Sequence, residues 1–189
     1  MALETARRRV GLVAGIATGT HIRLAVMKNG LVYLRPQRMV YVRAVGPYEQ
    51  SIPEAWNKMF AWIAKHAIHS PAGRGYGLAH DAGAKTAEPC YDACVQLTPL
   101  FEERAIREHA VMMLPGGPYM RHRYIGRYNG VSELLSDAQR VIELPADLRI
   151  DQRRPLVTIY LDDPAAVHSN DLRADICLPV AANSASRAA

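Results

Sequence analysis

The feature that most limits the folds open to this chain is an outline written twice, about eighty residues apart. Val40-Tyr41-Val42-Arg43-Ala44-Val45-Gly46-Pro47-Tyr48 is followed eighty positions later by Met120-Arg121-His122-Arg123-Tyr124-Ile125-Gly126-Arg127-Tyr128. Arg, Gly and Tyr coincide, and Val45 matches Ile125. After a slip of one residue, Ile52, Ala55, Trp56, Met59 and Ile63 recur as Val131, Leu134, Leu135, Ala138 and Ile142. Asp92 and Cys94 of "YDACVQL" then match Asp175 and Cys177 of "ADICLPV", eighty-three positions apart. Each copy reads strand, Gly-x-Tyr corner, helix, loop, strand, Asp-bearing turn, strand. One such half would bury a single sheet face and leave open edges. Two halves about an approximate twofold shield each other and leave a groove at their junction, where pockets tend to form. The expected fold is therefore α+β, with duplicated β-α-β-β units and pseudo-twofold symmetry. It has an antiparallel sheet, one long helix per half and a ligand groove between the halves.

Local signals fill in this plan. Ser51 and Glu54 are placed to form a capping box at the start of the first helix, with Pro53 tolerated in the first turn. Ile52, Ala55, Trp56, Met59, Phe60 and Ile63 form one amphipathic stripe, and the helix should end near 66–69, ahead of Pro71. Strands are expected at 76–80, 91–97, 156–161 and 174–178. The stretch before Pro115-Gly116-Gly117-Pro118, a plain turn, crosses from the first half to the second. The domain so read spans 31–180, with halves of about 31–100 and 112–180. Residues 1–30 read as a disordered or artefactual extension, and 181–189 as a frayed polar tail. A signal peptide and a true start at Met27 are the alternatives for the leader.

Charge excludes one function class. The net charge is +5, and residues 1–35 account for all of it: Arg7, Arg8, Arg9, Arg23, Lys28 and Arg35 stand against Glu4 alone. The body is balanced, so it lacks the concentrated basic surface that gripping a nucleic acid requires. Three cysteines are too few for a disulfide scaffold and read as free thiols in a reducing cytoplasm. No apolar run is long enough to cross a membrane. His66, His69, His80, His109, His122 and His168 show no ligand spacing, so neither a metal nor a cofactor is expected. Asp162-Asp163-Pro164 reads as turn chemistry.

The segments "VYVRAVGPYEQSIPEAWNKMFAW", "YGLAHDAGAKT", "GGPYMRHRYIG", "IYLDDP" and "LRADICLPV", in that order, resemble the GyrI-like family over about 32–180. That family includes the effector-binding domain of AraC-type transcription activators and the gyrase inhibitory proteins. The resemblance implies a SOUL-like duplicated fold with a ligand groove. Family members that regulate transcription carry a helix-turn-helix region ahead of this domain, which residues 1–35 are too short to supply, so a stand-alone version is expected. Many relatives also place a Glu two residues before the Tyr of the "Y-L-x-D-P" strand. It is the counter-ion for cationic drugs, or the general acid/base in members that hydrolyse strained toxins. Thr158 holds that position here. A hydroxyl supplies hydrogen bonds but no charge, which lowers affinity for a cation by about tenfold to a hundredfold and removes a general base.

Tyr76, Tyr119 and Tyr160 lie on strands expected to border the groove, each offering an apolar face with a polar tip. Trp56 and Phe60 read as core residues of the helix stripe, while Trp62, beside the stripe, is the candidate aromatic wall. The ligand-binding set is therefore Tyr76, Tyr119, Thr158, Tyr160 and Trp62, with no catalytic residue. The expected partner is a small hydrophobic or planar molecule, sensed or sequestered in the cytoplasm. Inhibition of DNA gyrase by protein contact, action with a separate regulator and hydrolysis of strained electrophiles are the alternatives.

Overall fold

The computed structural model describes residues 29–65, 74–81, 88–97, 107 and 109–183. The leader up to residue 28, the helix end expected at 66–69, segment 98–106 and the tail from 184 lie outside the described residues.

Each half opens on a strand that periodicity did not separate. β1 (Gly30–Leu34) runs into β2 (Gln37–Val45) through Arg35-Pro36; eighty positions on, β5 (Ala110–Leu114) runs into β6 (Gly117–Ile125) through Pro115-Gly116. β1 pairs antiparallel with β6, and β2 with β5. One register carries through both ladders, since Leu34 faces Gly117 and Gln37 faces Leu114. The two bent strands thus pair with each other along their length. At the bend, a Cβ on Gly116 would lie 2.5 Å from the Pro36 ring, so this close approach requires glycine.

From β2 the chain continues through α1 (Tyr48–Lys65), β3 (Gly75–Ala79) and β4 (Cys90–Gln96). From β6 it passes a 3₁₀ turn at Tyr128–Gly130, then α2 (Val131–Val141), β7 (Leu148–Ile150), β8 (Leu156–Tyr160) and β9 (Arg173–Ala182). Strand order is β1-β6-β9-β8-β3-β4-β2-β5, with β7 on β9. That order reads the same from both ends when equivalent strands are exchanged, and the β3–β8 ladder is the seam. Because the end strands β1 and β5 are continuations of β2 and β6, the sheet curls back on itself. The fold is α+β, as expected. Each unit gains a leading strand, and the second helix is shorter, 11 residues against 18.

Curling buries both faces of the central strands. Val40, Val42, Ala93, Ile176 and Leu178 pack under the helices, while Met39, Leu78, Cys94, Val157 and Cys177 fill the opposite, concave side. The repeat extends to individual contacts. Gly46 (φ 125°) and Gly126 (φ 149°) turn the two corners, in a backbone region that favours glycine. Their N–H groups donate to the carbonyls of Pro89 (2.9 Å) and Leu172 (2.8 Å). Arg43 grips Asp92 with two hydrogen bonds (2.7 and 2.8 Å), and Arg123 grips Asp175 the same way.

The start of α1 departs from the capping-box expectation. The helix begins at Tyr48, where the Pro47 carbonyl accepts the N–H groups of Gln50 and Ser51, both at 2.9 Å. Ser51 is already inside the helix and buried, its Oγ without a hydrogen-bond partner among the described residues. A proline with fixed φ directly before the helix competes well with a side-chain cap. No helix among the described residues is long and apolar enough to cross a membrane.

Candidate functional site

α1 and α2 both lie on the outer face of the sheet, and between them, over the β3–β8 seam, is a cleft of about 990 Å³. One wall is the flank Ile52, Trp56, Phe60 and Ile63 of α1; the other is Tyr128, Asn129 and Ser132 at the entry to α2. Gly75 and Tyr160 contribute the floor, and Asp162, Asp163 and Pro164 one rim. Tyr48 and Tyr128, the tyrosines of the two Gly-x-Tyr corners, both reach it. The corners therefore supply cleft surface as well as turning the chain.

The aromatic assignments on α1 are reversed from the sequence expectation. Ala55, Met59 and Trp62 are buried against the sheet, with Trp62 edge-on to His109 at 5.0 Å between centroids, whereas Phe60 is 55 % exposed. Trp56 is half-buried and lies 5.3 Å from both Phe60 and Tyr160. The apolar stripe is wider than the surface it covers. Its Tyr48-Ile52-Ala55-Met59-Trp62 line faces the sheet, and the adjacent Trp56-Phe60-Ile63 line overhangs the cleft. Helical period defines such a stripe but not which edge of it meets the sheet.

Two glycines let the aromatic layer lie flat. A Cβ on Gly75 would come within 2.7 Å of the Trp56 indole, and one on Gly77 within 2.1 Å of the Tyr91 hydroxyl. Alternate glycines in "GYG" were the sequence signal for this site, since a strand glycine often marks close approach of another group. Gly77→Ala should destabilise the protein by about 1–3 kcal/mol in a denaturant melt. Tyr91, fully buried, cannot tip aside to admit the methyl group.

Polar groups in this layer are bonded to one another. The Trp56 indole N–H donates to the Tyr91 hydroxyl (3.1 Å), which shares a hydrogen bond with the Tyr160 hydroxyl (3.0 Å). Tyr128 packs edge-on to Tyr160 at 4.8 Å; its hydroxyl accepts the Asp162 N–H (3.1 Å) and lies 2.9 Å from the Asp162 carbonyl. Burial pushes the Tyr160 phenol up to about 12 and Tyr91 well above its ordinary value, so both stay protonated. Asp162 is saturated by Arg173, which bonds both of its oxygens. Asp163 caps its own turn through the Ala165 N–H (2.8 Å), the turn role expected for it. The exposed charges at the rim are Glu49, Asp163 and Arg74.

Of the five residues expected to bind ligand, Tyr160 lines the cleft. Trp62 is in the core. Tyr76 and Tyr119 point to the concave side, because residues on the helix face of a strand alternate with those on the other. Tyr119 donates to the Pro115 carbonyl (3.1 Å) and lies under the Arg154 guanidinium. Thr158 is on the helix side but fully buried opposite Gly77, in the strip of sheet that Tyr91 covers. Its Oγ1 has no hydrogen-bond partner among the described residues. Tyr48, Tyr128, Asn129 and Ser132 also line the cleft; the sequence marks the two tyrosines as corner residues and none of the four as part of a site.

Solved structures share this architecture. The EcmrR C-terminal domain superposes with a TM-score of 0.60 at 12% identity, covering 83% of this chain and 99% of that one. The protein SAV2435, solved bound to tetraphenylphosphonium, gives 0.57 at 14% identity, covering 82% and 94%. A putative transcription regulation protein from Staphylococcus aureus gives 0.57 at 16%, covering 82% and 98%. At such identities the likeness establishes the fold alone. No curated protein matches the chain at a significant level. The model of the GyrI-like small molecule binding domain matches residues 27–181, which takes in both halves, both corners and the whole cleft, and the chain belongs to that family.

Proposed function

We propose that the protein binds a flat, largely apolar molecule in the cleft between α1 and α2, and that sensing or sequestering this compound is its biological role. The observation that carries the reading is the set of five aromatic side chains from both halves, Tyr48, Trp56, Phe60, Tyr128 and Tyr160, converging on one cleft. Such faces give large contact area at low entropic cost. SAV2435 was solved with a bulky aromatic cation, and here the exposed carboxylates of Glu49 and Asp163 would tolerate a weakly basic group at the rim. The floor supplies the protonated phenol of Tyr160 and no charge, which supports binding without turnover, since no floor group can act as a general base at neutral pH.

The chain contains two tryptophans, one in the cleft and one in the core. Titrating the full chain with neutral planar dyes, and separately with tetraphenylphosphonium, should quench Trp56 emission and raise the melting temperature. Trp56→Ala should weaken binding by roughly tenfold to a hundredfold, from about 1.5–3 kcal/mol of lost aromatic burial. Equal affinity in the variant, or no ligand-induced stabilisation across the panel, would count against the cleft as a working site.

A further inference from the structure

The two halves match in backbone at the end of each central hairpin but differ there in side chains. In the second half, Asp175 is gripped by Arg123, and Asp162 takes three hydrogen bonds from Arg173, one to its N–H (2.7 Å) and two to its guanidinium. Two carboxylates thus face two guanidiniums. The first half keeps the Arg43–Asp92 grip, and Asp81 Oδ2 accepts the Cys90 N–H (2.8 Å) as Asp162 does that of Arg173. Here, however, Cys90 stands where Arg173 stands in the repeat, and His80 where Leu161 stands. The equivalence is fixed by matching backbone bonds, His80 N–H to the Cys90 carbonyl (3.1 Å) and Leu161 N–H to that of Arg173 (3.0 Å). Among these groups, two carboxylates now face a single guanidinium. In place of the missing cation the corner offers an imidazole and a thiol.

We propose that this corner is a metal site, in which His80, Cys90 and Asp92 bind one zinc-class divalent cation. Their donor atoms lie within 4.8 Å of one another, with the His80 Nε2 2.6 Å from Asp92 Oδ2. In a tetrahedral site with bonds of about 2.0–2.3 Å, donors stand roughly 3.5 Å apart, so side-chain adjustments of about an ångström assemble it. One sulfur, one nitrogen and one oxygen donor suit a borderline-soft ion and not calcium or magnesium, which take oxygen. His80 and Cys90 are partly exposed, which gives the ion a way in, while Asp92 is buried and held by Arg43 as an outer-shell partner. Once the thiol gives up its proton, two carboxylates and a thiolate against one guanidinium leave a charge of minus two, which a divalent ion neutralises. Sequence spacing gave no hint of the site because the β3–β4 hairpin brings His80 beside Cys90 and Asp92.

The test uses the untagged full chain titrated with zinc by calorimetry and native mass spectrometry, and with cobalt(II) as a spectroscopic probe. One ion per chain is expected, with a thiolate-to-cobalt charge-transfer band that Cys90→Ser abolishes and Cys177→Ser leaves intact. His80→Gln should weaken zinc by more than the roughly tenfold to hundredfold that losing an outer-shell partner costs. The double change His80→Leu with Cys90→Arg copies the second half, so it should fold, bind no metal and melt no lower than the parent apoprotein. Lack of stoichiometric uptake overturns the proposal. So does uptake that survives in both single variants, which would place the ion on other histidines.

Discussion

Tyr91→Ala is expected to cost about 3–5 kcal/mol of stability, the usual range for emptying a large aromatic site in a core. Tyr91 is fully buried between α1 and the seam, and it touches both halves through its bonds to Trp56 and Tyr160. Its removal leaves the Trp56 N–H and the Tyr160 hydroxyl without that partner, adding the cost of an unmade hydrogen bond to that of the cavity. Tyr91→Phe separates the two contributions, because the ring stays and only the hydroxyl is lost; about 1–2 kcal/mol is expected. Denaturant midpoints at unchanged m-value would measure both. A Tyr91→Ala penalty no larger than that of Tyr91→Phe would mean that the ring is not the keystone of the seam. If Tyr91→Ala folds, it should also accept bulkier ligands, since the vacated volume lies over Gly77 and opposite Thr158.

Arg43→Met should show the second large effect, with a characteristic dependence on pH. Burial pushes the Asp92 carboxyl up, but hydrogen bonds from Arg43 and His80 outweigh it and hold the group below its ordinary value. A carboxyl depressed in the folded state contributes stability that is complete above its unfolded value near 3.8. That contribution is lost as pH falls through the folded value. Removing one partner from a buried ion pair costs about 3–5 kcal/mol. The Arg43 side chain is 46% exposed and solvent screens it, so about 2–3 kcal/mol is expected at neutral pH. Without Arg43, burial is opposed by His80 alone and the carboxyl moves up. The variant then protonates Asp92 at higher pH than the parent does, and its deficit against the parent should shrink as pH falls into the acid range. A deficit that is constant from pH 7 to pH 4 would show that the loss is one of packing and not of charge. The equivalent change Arg123→Met takes the same two-point grip from Asp175 and should also lower the denaturant midpoint.

The sequence by itself determined the fold class, the family and the twofold plan. Those properties reside in short sequence features: a glycine where the corner needs positive φ, an apolar stripe of helical period, and an Asp-x-Cys in a late strand. Each recurs about eighty residues on and in the same order, and repetition turns weak local signals into a strong one. β5 escaped notice because Pro115-Gly116-Gly117-Pro118 reads as a turn, and only pairing across halves shows β1–β2 and β5–β6 each to be one bent strand.

The tertiary structure decided the site. Whether Trp56 or Trp62 faces the cleft depends on how α1 is rotated over the sheet, which composition does not encode. Tyr76 lies between two glycines that face the helix, so alternation along β3 sends its ring to the concave side. The family resemblance places Thr158 at the border of the groove, yet Tyr91 from β4 covers that strip of sheet, and no pattern within β8 could indicate it. The first-half corner follows the same logic. His80, Cys90 and Asp92 are unremarkable in order along the chain, and the hairpin register is what brings an imidazole, a thiol and a carboxylate to one point. Local sequence specifies which surfaces are apolar and where the chain turns, whereas which side chains meet is set by long-range packing between elements far apart in the chain.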